Sequence, residues 1–344
     1  MGLFNFIKSI FLRLPRPVRK KEAKKVKLII NPLAGEGKVK KAVRQIRKSL
    51  HRYAPHFKVD IFFSRKMGDL SVTAKESVDE GYEIVIAAGG DGAINEVVQG
   101  LANTPIVLGI IPLGTANVFA EEIEIPKDID QACKILASGE VRRVDLGKAG
   151  EHYFLWMASM GTDAQLAKDL TSEVRERLGV FAYFWFAVNR LNKIKFSQIK
   201  FNLEGREIKE RAFITVIGNA ASYDGDLKIR SLESIDDGYL DVCLYTKPTV
   251  LGVIRGILRF LGKRYTYYKD VKYWGVKHYR VKKVLIESEP PIWVQTDGEV
   301  IGETPVEFTI VPQALSVILP RRPKEKVNAE CGMRSADCGL RNAE

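Results

Sequence analysis

Residues 84–96, Ile-Val-Ile-Ala-Ala-Gly-Gly-Asp-Gly-Ala-Ile-Asn-Glu, decide the fold of this chain. The β-branched run 84–86 has no polar interruption, which is typical of a strand buried on both faces of a parallel sheet. Glycines then dominate residues 89–92, and apolar residues recur at helical spacing up to Leu101. A strand, a glycine turn and a helix N-terminus in this order predict a phosphate site, because free N–H groups and the helix dipole converge there.

Asp91 lies inside that glycine turn and needs a separate explanation. A carboxylate beside phosphates repels them unless a cation lies between the two. We therefore interpret Asp91 as a residue that positions Mg²⁺ or its waters. For this stretch considered alone, an ordinary tight turn is the alternative.

Two further glycine-bearing turns follow predicted strands. The first strand, Val26–Ile30, leads into residues 31–38, Asn-Pro-Leu-Ala-Gly-Glu-Gly-Lys. Another strand, Pro105–Ile111, leads into residues 112–117, Pro-Leu-Gly-Thr-Ala-Asn. In a βαβα pattern such turns lie at the carboxyl edge of one sheet, which is where α/β folds bind nucleotides.

The second half of the chain has a different pattern of predicted secondary structure. Alternating strands with few helices begin near residue 140, a helical segment covers 163–194, and residues 306–320 predict two final strands. We expect an α/β, Rossmann-like nucleotide-binding domain followed by a mostly-β sandwich domain. The predicted boundaries are an arm over 1–24, the α/β domain over 25–140, the β-rich second domain over 141–322, and a disordered tail over 323–344.

The net charge of +12 is unevenly placed. Residues 1–27 hold nine Lys/Arg against one Glu, and residues 250–283 hold ten Lys/Arg against one Asp. The opening residues 3–14 form an apolar helix pattern, and a polybasic stretch follows it. An apolar helix with a polybasic neighbour predicts an interfacial anchor for anionic lipid, with a secretory signal or a disordered arm as alternatives.

The basic residues of 250–283 alternate with aromatic residues. That mixture suits a lipid headgroup layer or single-stranded nucleic acid, and a solvated basic face is the plain alternative. We expect no nucleic-acid partner. No apolar run reaches bilayer length, and four cysteines without metal-ligand spacing indicate a reducing compartment. The predicted location is therefore cytoplasmic and peripheral, at the inner face of the membrane.

Five motifs together resemble the diacylglycerol kinase catalytic superfamily, which includes bacterial soluble lipid kinases and sphingosine kinases. They are residues 31–38, 89–92, 112–117, Asp237-Gly238-Tyr239 and Asp297-Gly298-Glu299. NAD kinases share a motif related to residues 89–92, but the turn at 112–117 matches the lipid kinases. The resemblance implies transfer of the γ-phosphoryl group of ATP, with Mg²⁺, to a hydroxyl of a diacylglycerol-like or sphingoid-like membrane lipid.

The resemblance also assigns residues. The implied nucleotide-binding residues are Asn31, Lys38, Ser64, Gly89, Gly90, Gly92, Asn95, Glu96, Gly114 and Thr115. The implied catalytic residues are Glu299 as the base that activates the alcohol, with Asp91 and Asp145 in the metal–water network. The implied structural Mg²⁺ ligands are Ser234, Asp237 and Tyr239, through hard oxygen donors on a tight turn. Without the resemblance, plain hairpin turns would explain both Asp-Gly motifs.

This chain departs from the family pattern at two positions. Ala93 stands where many relatives have Thr, and Val118 stands where many have Asp. A soluble NAD kinase and a catalytically idle nucleotide- and membrane-binding protein therefore stay open as alternatives. The sequence names neither the lipid nor the oligomeric state, and a homodimer is compatible with it.

Overall fold

The computed structural model describes residues 22–32, 39–115, 117–161, 164, 196–203, 205–219, 222–224, 226–228, 235–247 and 275–321. The first part of the chain alternates strands and helices. Its elements are β1 (Lys24–Ile30), α1 (Val39–Tyr53), β2 (Phe57–Phe63), α2 (Asp69–Asp79), β3 (Ile84–Gly89), α3 (Asp91–Leu101), β4 (Val107–Pro112), α4 (Val118–Glu122) and α5 (Ile129–Ser138).

The remaining described elements are all strands. They are β5 (Glu140–Ala149), β6 (His152–Phe154), β7 (Met157–Gly161), β8 (Ser197–Leu203), β9 (Arg206–Ala212), β10 (Ile214–Gly218), β11 (Ser222–Asp224), β12 (Asp226–Lys228), β13 (Leu240–Tyr245), β14 (Val276–Val281), β15 (Lys283–Glu289), β16 (Trp293–Thr296), β17 (Glu299–Glu303) and β18 (Val306–Leu319).

Four parallel strands form the nucleotide-type sheet in the order β2-β1-β3-β4. Every residue of β3 is buried, as its uninterrupted apolar run predicts. One face of the sheet packs around Ile46 and Leu136 of α1 and α5, and the other packs around Leu70 and Ile94 of α2 and α3. The α/β half is therefore a three-layer arrangement, as expected from the alternation of strand and helix signals.

The second half is an antiparallel sandwich. Six strands pair in the order β14-β13-β10-β7-β16-β17. Their inner face packs on residues of β8, β15 and β18 in a core that includes Phe154, Phe201 and Phe308. This confirms the mostly-β sandwich. The predicted domain boundary near residue 140 coincides with the start of β5 and otherwise stays a prediction.

One prediction in this half is wrong. The sequence predicts two strands over 306–320, but Val306–Leu319 form a single 14-residue strand, β18. The strand pairs with β15 at its start and runs parallel to β4 near its end, so one sheet of ten strands continues through both halves. A bulge between Val311 and Leu315, with Gln313 at φ 50°, bends the strand without ending it.

Candidate functional site

The carboxyl ends of the four parallel strands lie side by side. The Ser64 N–H donates to the Ile30 carbonyl at 3.0 Å, and the Asn31 N–H donates to the Ala88 carbonyl at 3.3 Å. Strand β2 lies on one side of β1 and β3 lies on the other side. The order in which the chain adds strands to the sheet therefore changes direction between β1 and β3. Such a switch point opens a crevice at the carboxyl edge, and Asn31 and residues 89–92 flank it.

The two glycine turns touch through their backbones. A Cβ added to Gly114 would lie 2.6 Å from the Gly90 Cα and 2.8 Å from the Asn117 Oδ1. Asn117 holds the second turn with both side-chain atoms, since its Oδ1 accepts from the Gly114 N–H at 2.9 Å and its Nδ2 donates to the Gly114 carbonyl at 2.6 Å. Glycine is required at 114 because the partner there is backbone, which cannot rotate away.

The first turn of α3 points its N–H groups toward this edge. Gly90 is the N-cap and supplies no side chain, so the first N–H groups of the helix lack a side-chain cap. The Asp91 carboxylate accepts the Phe119 N–H at 3.2 Å and so links the first turn to α4. Ala93 lies directly behind the turn, because a Cβ on Gly89 would be 2.6 Å from the Ala93 Cβ. The edge is thus built from glycine, alanine and backbone donors, which suits phosphate.

Thr115 is exposed at the tip of the second turn. Its carbonyl accepts a hydrogen bond from the Lys127 ammonium at 3.0 Å. Lys127 also lines a surface cavity of about 320 Å³ together with Glu121 and Pro126. The sequence interpretation missed Lys127, which follows the motif by twelve residues and has no motif of its own.

Asn95 and Glu96 carry structural contacts in this fold. Asn95 is 4% exposed and its Oδ1 accepts from Gln99 at 2.5 Å. The Glu96 carboxylate accepts the Leu70 N–H at 3.0 Å, so it caps the N-terminus of α2. These bonds hold α3 in place, and the predicted contact of the two residues with nucleotide stays a prediction. Ser64 is buried at the end of β2 with its backbone bonded to β1, and its predicted role also stays a prediction.

The Asp-Gly-Glu motif forms the two-residue turn between β16 and β17. Asp297 and Gly298 have φ values of 47° and 91°, as a tight hairpin of this kind requires. Glu299 is exposed at the first position of β17. An exposed carboxylate in this position is accessible to an acceptor hydroxyl, whose proton a positioned carboxylate can take.

Asp297 is the most strongly held residue of the turn. Its carboxylate accepts the N–H groups of Leu155, Trp156 and Met157 at 2.7, 3.1 and 3.0 Å. Burial raises the pKa of Asp297 to about 6, against the lowering effect of these donors, and the charge of Asp91 raises the pKa further. Part of the residue surface stays exposed, but the carboxylate itself is enclosed by the donors. The influence of Asp91 means that the hairpin lies within electrostatic reach of the first glycine turn.

Asp145 bonds to the turn that carries Asp237. It is 2% exposed, and its two carboxylate oxygens accept the N–H groups of Gly238 and Gln313, each at 2.7 Å. Asp145 therefore holds both the Asp-Gly turn and the bulge of β18. Its membership in a metal network with Asp91 stays a prediction.

Asp237 accepts the Tyr239 N–H at 3.0 Å and pairs with the Arg280 guanidinium at 2.6 Å. Burial raises the pKa of the Asp237 carboxyl, Arg280 lowers it, and the charges of Asp241 and Asp145 raise it. A carboxylate oxygen is a ligand that Mg²⁺ prefers, and the role of Asp237 as such a ligand stays a prediction. Within the described part of the chain, however, no group of three or more His, Cys, Asp or Glu side chains is arranged to hold a metal ion.

Some predicted features lie outside the described residues. They are Lys38, Ser234, nearly all of the helical segment 163–194, most of the N-terminal arm, residues 250–274 and the tail 323–344. Among the described residues, no helix has both the length and the apolar character needed to cross a bilayer.

The structure joins an α/β half, whose glycine turns form a phosphate-type edge, to an antiparallel β-sandwich half, and each half matches a known family model. Residues 25–149 match the model of the diacylglycerol kinase catalytic domain, and residues 157–319 match that of the YegS C-terminal NAD kinase beta sandwich-like domain. The chain belongs to the diacylglycerol kinase catalytic-domain superfamily and is a lipid kinase.

Individual relatives agree with this assignment. The chain is similar to a diacylglycerol kinase from Staphylococcus saprophyticus, at 28% identity over 88% of this chain and 98% of the relative. A diacylglycerol kinase from Staphylococcus aureus is also 28% identical, over 86% of this chain and 93% of the relative. A crystal structure from Bacillus anthracis str. Sterne, assigned provisionally as a diacylglycerol kinase, superposes with a TM-score of 0.71 at 25% identity over 89% of this chain and 98% of that one.

Proposed function

We propose that this lipid kinase transfers the γ-phosphoryl group of ATP to the free hydroxyl of diacylglycerol. The observation that carries the proposal is the approach of two parts of the fold. The glycine turns at 89–92 and 112–115 lie at one sheet edge, and helix α3, which begins in the first turn, bonds through Gln99 to Tyr153, two residues before the backbone that holds the Asp297 hairpin. In the proposal, nucleotide and acceptor groups therefore meet in one crevice.

The residues of the crevice have distinct roles in the proposal. Backbone N–H groups at the start of α3 and in the turn at Gly114 bind the phosphates. Glu299 accepts the proton of the acceptor hydroxyl as its oxygen attacks the γ-phosphorus, and the bond from that phosphorus to the ADP oxygen breaks. Bound Mg²⁺ would supply positive charge against the phosphates, and Asp91 would hold the ion or its waters. Most of the acceleration is expected from positioning and from electrostatic stabilisation.

We infer that the membrane is reached mainly through the N-terminal arm. In the described part of the basic stretch 250–283, Lys277 pairs with Glu210, Arg280 with Asp237 and Lys283 with Glu307. These pairs reduce the positive charge that this part of the stretch can offer to anionic lipid. At the end of the arm, Lys25 and Lys27 belong to β1 and bond to Glu80. The basic residues before 22 are therefore the better candidates for lipid contact.

The acceptor is tested with purified protein, radiolabelled ATP, Mg²⁺ and mixed micelles that contain diacylglycerol, a sphingoid base or no lipid, with NAD as a further soluble acceptor. Label in phosphatidic acid supports the proposal. Label only in a phosphorylated sphingoid base or in NADP, or no transfer at all, would overturn it.

The membrane contact is tested by deleting residues 2–21, which leaves β1 intact. Binding to vesicles of phosphatidylglycerol and phosphatidylcholine should weaken, and the binding of the full chain should fall as salt is added. Unchanged partitioning of the deletion variant would exclude the arm as the anchor.

A further inference from the structure

A side-chain amide of α3 bonds to the edge of β6. Gln99 donates through its Nε2 to the Tyr153 carbonyl at 2.8 Å and accepts the Tyr153 N–H through its Oε1 at 2.9 Å. Among the described strands, β6 pairs only with β5, so this amide satisfies the open edge of β6 as another strand would. The bond from Gln99 to Asn95 at 2.5 Å fixes the side chain.

The chain that leaves β6 bonds directly to the hairpin between β16 and β17, which carries Asp297 and Glu299. Two residues after Tyr153, the N–H groups of residues 155–157 begin their three bonds to the Asp297 carboxylate. The Asp297 N–H returns a bond to the Met157 carbonyl at 2.9 Å. Asn219 braces the same segment, because its Nδ2 donates to the carbonyls of Leu155 and Asp145, each at 2.9 Å.

The bonds of Gln99 and those of Asp297 form one path between the glycine turn at 89–92 and the proposed base, Glu299. The path runs from Asp91 along α3 to Gln99, then through residues 153–157 to Asp297, and ends two residues later at Glu299. Helix α3 is a stiff spacer, about 12 Å long between Asp91 and Gln99 at 1.5 Å per residue. Apart from the peptide chain itself, every other link is a hydrogen bond to backbone. These links leave the hairpin little freedom to shift.

We propose that Gln99 and Asp297 are positioning residues that set the distance of the Glu299 hairpin from the phosphate-binding turn. This inference rests on the proposed function. Neither residue needs to touch ATP or lipid. Their effect on the reaction comes through the placement of Glu299, and a displacement on the scale of 1 Å is enough to slow a phosphoryl transfer strongly.

The proposal is tested with Gln99→Ala and Gln99→Glu, and with Gln131→Ala as the control because Gln131 is an exposed glutamine on α5. We expect Q99A to lower kcat for lipid phosphorylation by about 10- to 100-fold while the Kd for ATP changes by less than about twofold. Q131A should leave both unchanged. A purely structural role would lower Tm without separating kcat from ATP binding.

Q99E adds a readout that depends on pH. The ionised carboxylate that this substitution introduces would accept the Tyr153 N–H but repel the Tyr153 carbonyl, whereas the protonated carboxyl donates to that carbonyl as the amide does. The ratio of kcat for Q99E to kcat for the wild type should therefore rise as pH falls from about 7 to about 5, where a carboxyl with the ordinary Glu pKa of about 4.3 begins to take up its proton. Equal loss of kcat and ATP affinity in Q99A, or a ratio that does not change with pH, would overturn the positioning role.

Failure of the proposed function is distinguishable from failure of this inference. If the wild type transfers no phosphate to diacylglycerol, the proposed function falls, and hydrogen exchange still tests the path. Q99A should then speed amide exchange at residues 155–157 and 297–299 while β1 and β3 exchange as in the wild type. Unchanged exchange at the hairpin would overturn the path itself.

Discussion

Substituting Gly114 by Ala tests the contact between the two glycine turns. The new Cβ would lie 2.6 Å from the Gly90 Cα, about 0.8 Å inside the 3.4 Å at which ordinary van der Waals contact begins. The neighbour is backbone, so the turns must separate instead of a side chain rotating. Overpacking of this kind costs about 1–3 kcal/mol of stability, and a shift of this size between two phosphate-binding turns can lower the rate by about 10²-fold.

The assay for G114A combines ATP binding by calorimetry with the free energy of unfolding in urea. For the unfolding measurement the matched control is Gly92→Ala, because a Cβ at Gly92 meets nothing within 4 Å and the residue lies in the first turn of α3. We expect G114A to weaken ATP binding and lower stability, and G92A to keep or slightly raise stability through its better helix propensity. If G114A bound ATP as tightly as the wild type with unchanged stability, the two turns would not form one site and the reasoning would be refuted.

Two further predictions concern buried aspartates. Asp145→Ala leaves the Gly238 and Gln313 N–H groups without their acceptor, so the free energy of unfolding should fall by about 2–5 kcal/mol. A loss below about 1 kcal/mol would contradict the role of Asp145 in holding the turn and the bulge. Because the pKa of Asp297 is raised from 3.8 to about 6, the folded state binds this proton more tightly than the unfolded state. The stability contributed by this residue should therefore be present below about pH 4 and be lost as pH rises toward 6. In urea titrations across this range, Asp297→Asn should remove that component of the free energy of unfolding. Identical pH profiles for the wild type and the variant would contradict the prediction.

The α/β half could be predicted from sequence because its signals are local. The strand 84–89, its glycine turn and the helix to Leu101 are consecutive in the chain, and the buried apolar run admits few other structures. The carboxyl-edge placement of Gly90 and Gly114 then follows from parallel pairing. The family motifs supplied the residue roles, which neither periodicity nor composition carries.

The long-range contacts could not be predicted. Gln99 bonds to backbone 54 positions away, and Asp297 bonds to backbone about 140 positions away, so neither bond leaves a pattern in the sequence. The single strand β18 was missed for a related reason. Pro312 beside Gln313 indicates a break, but the Asp145 carboxylate accepts the Gln313 N–H and stabilises the bulge inside a continuous strand.

The central claim is that one crevice binds ATP and presents Glu299 to a lipid hydroxyl. The most direct test measures ATP affinity and diacylglycerol phosphorylation for the wild type and Glu299→Gln side by side. Because the substitution removes a proton acceptor but keeps size and exposure, we expect an unchanged Kd for ATP and a loss of about 10²–10⁴-fold in kcat. An undiminished rate in E299Q would contradict the role of Glu299, and a wild type that binds no ATP would contradict the site itself.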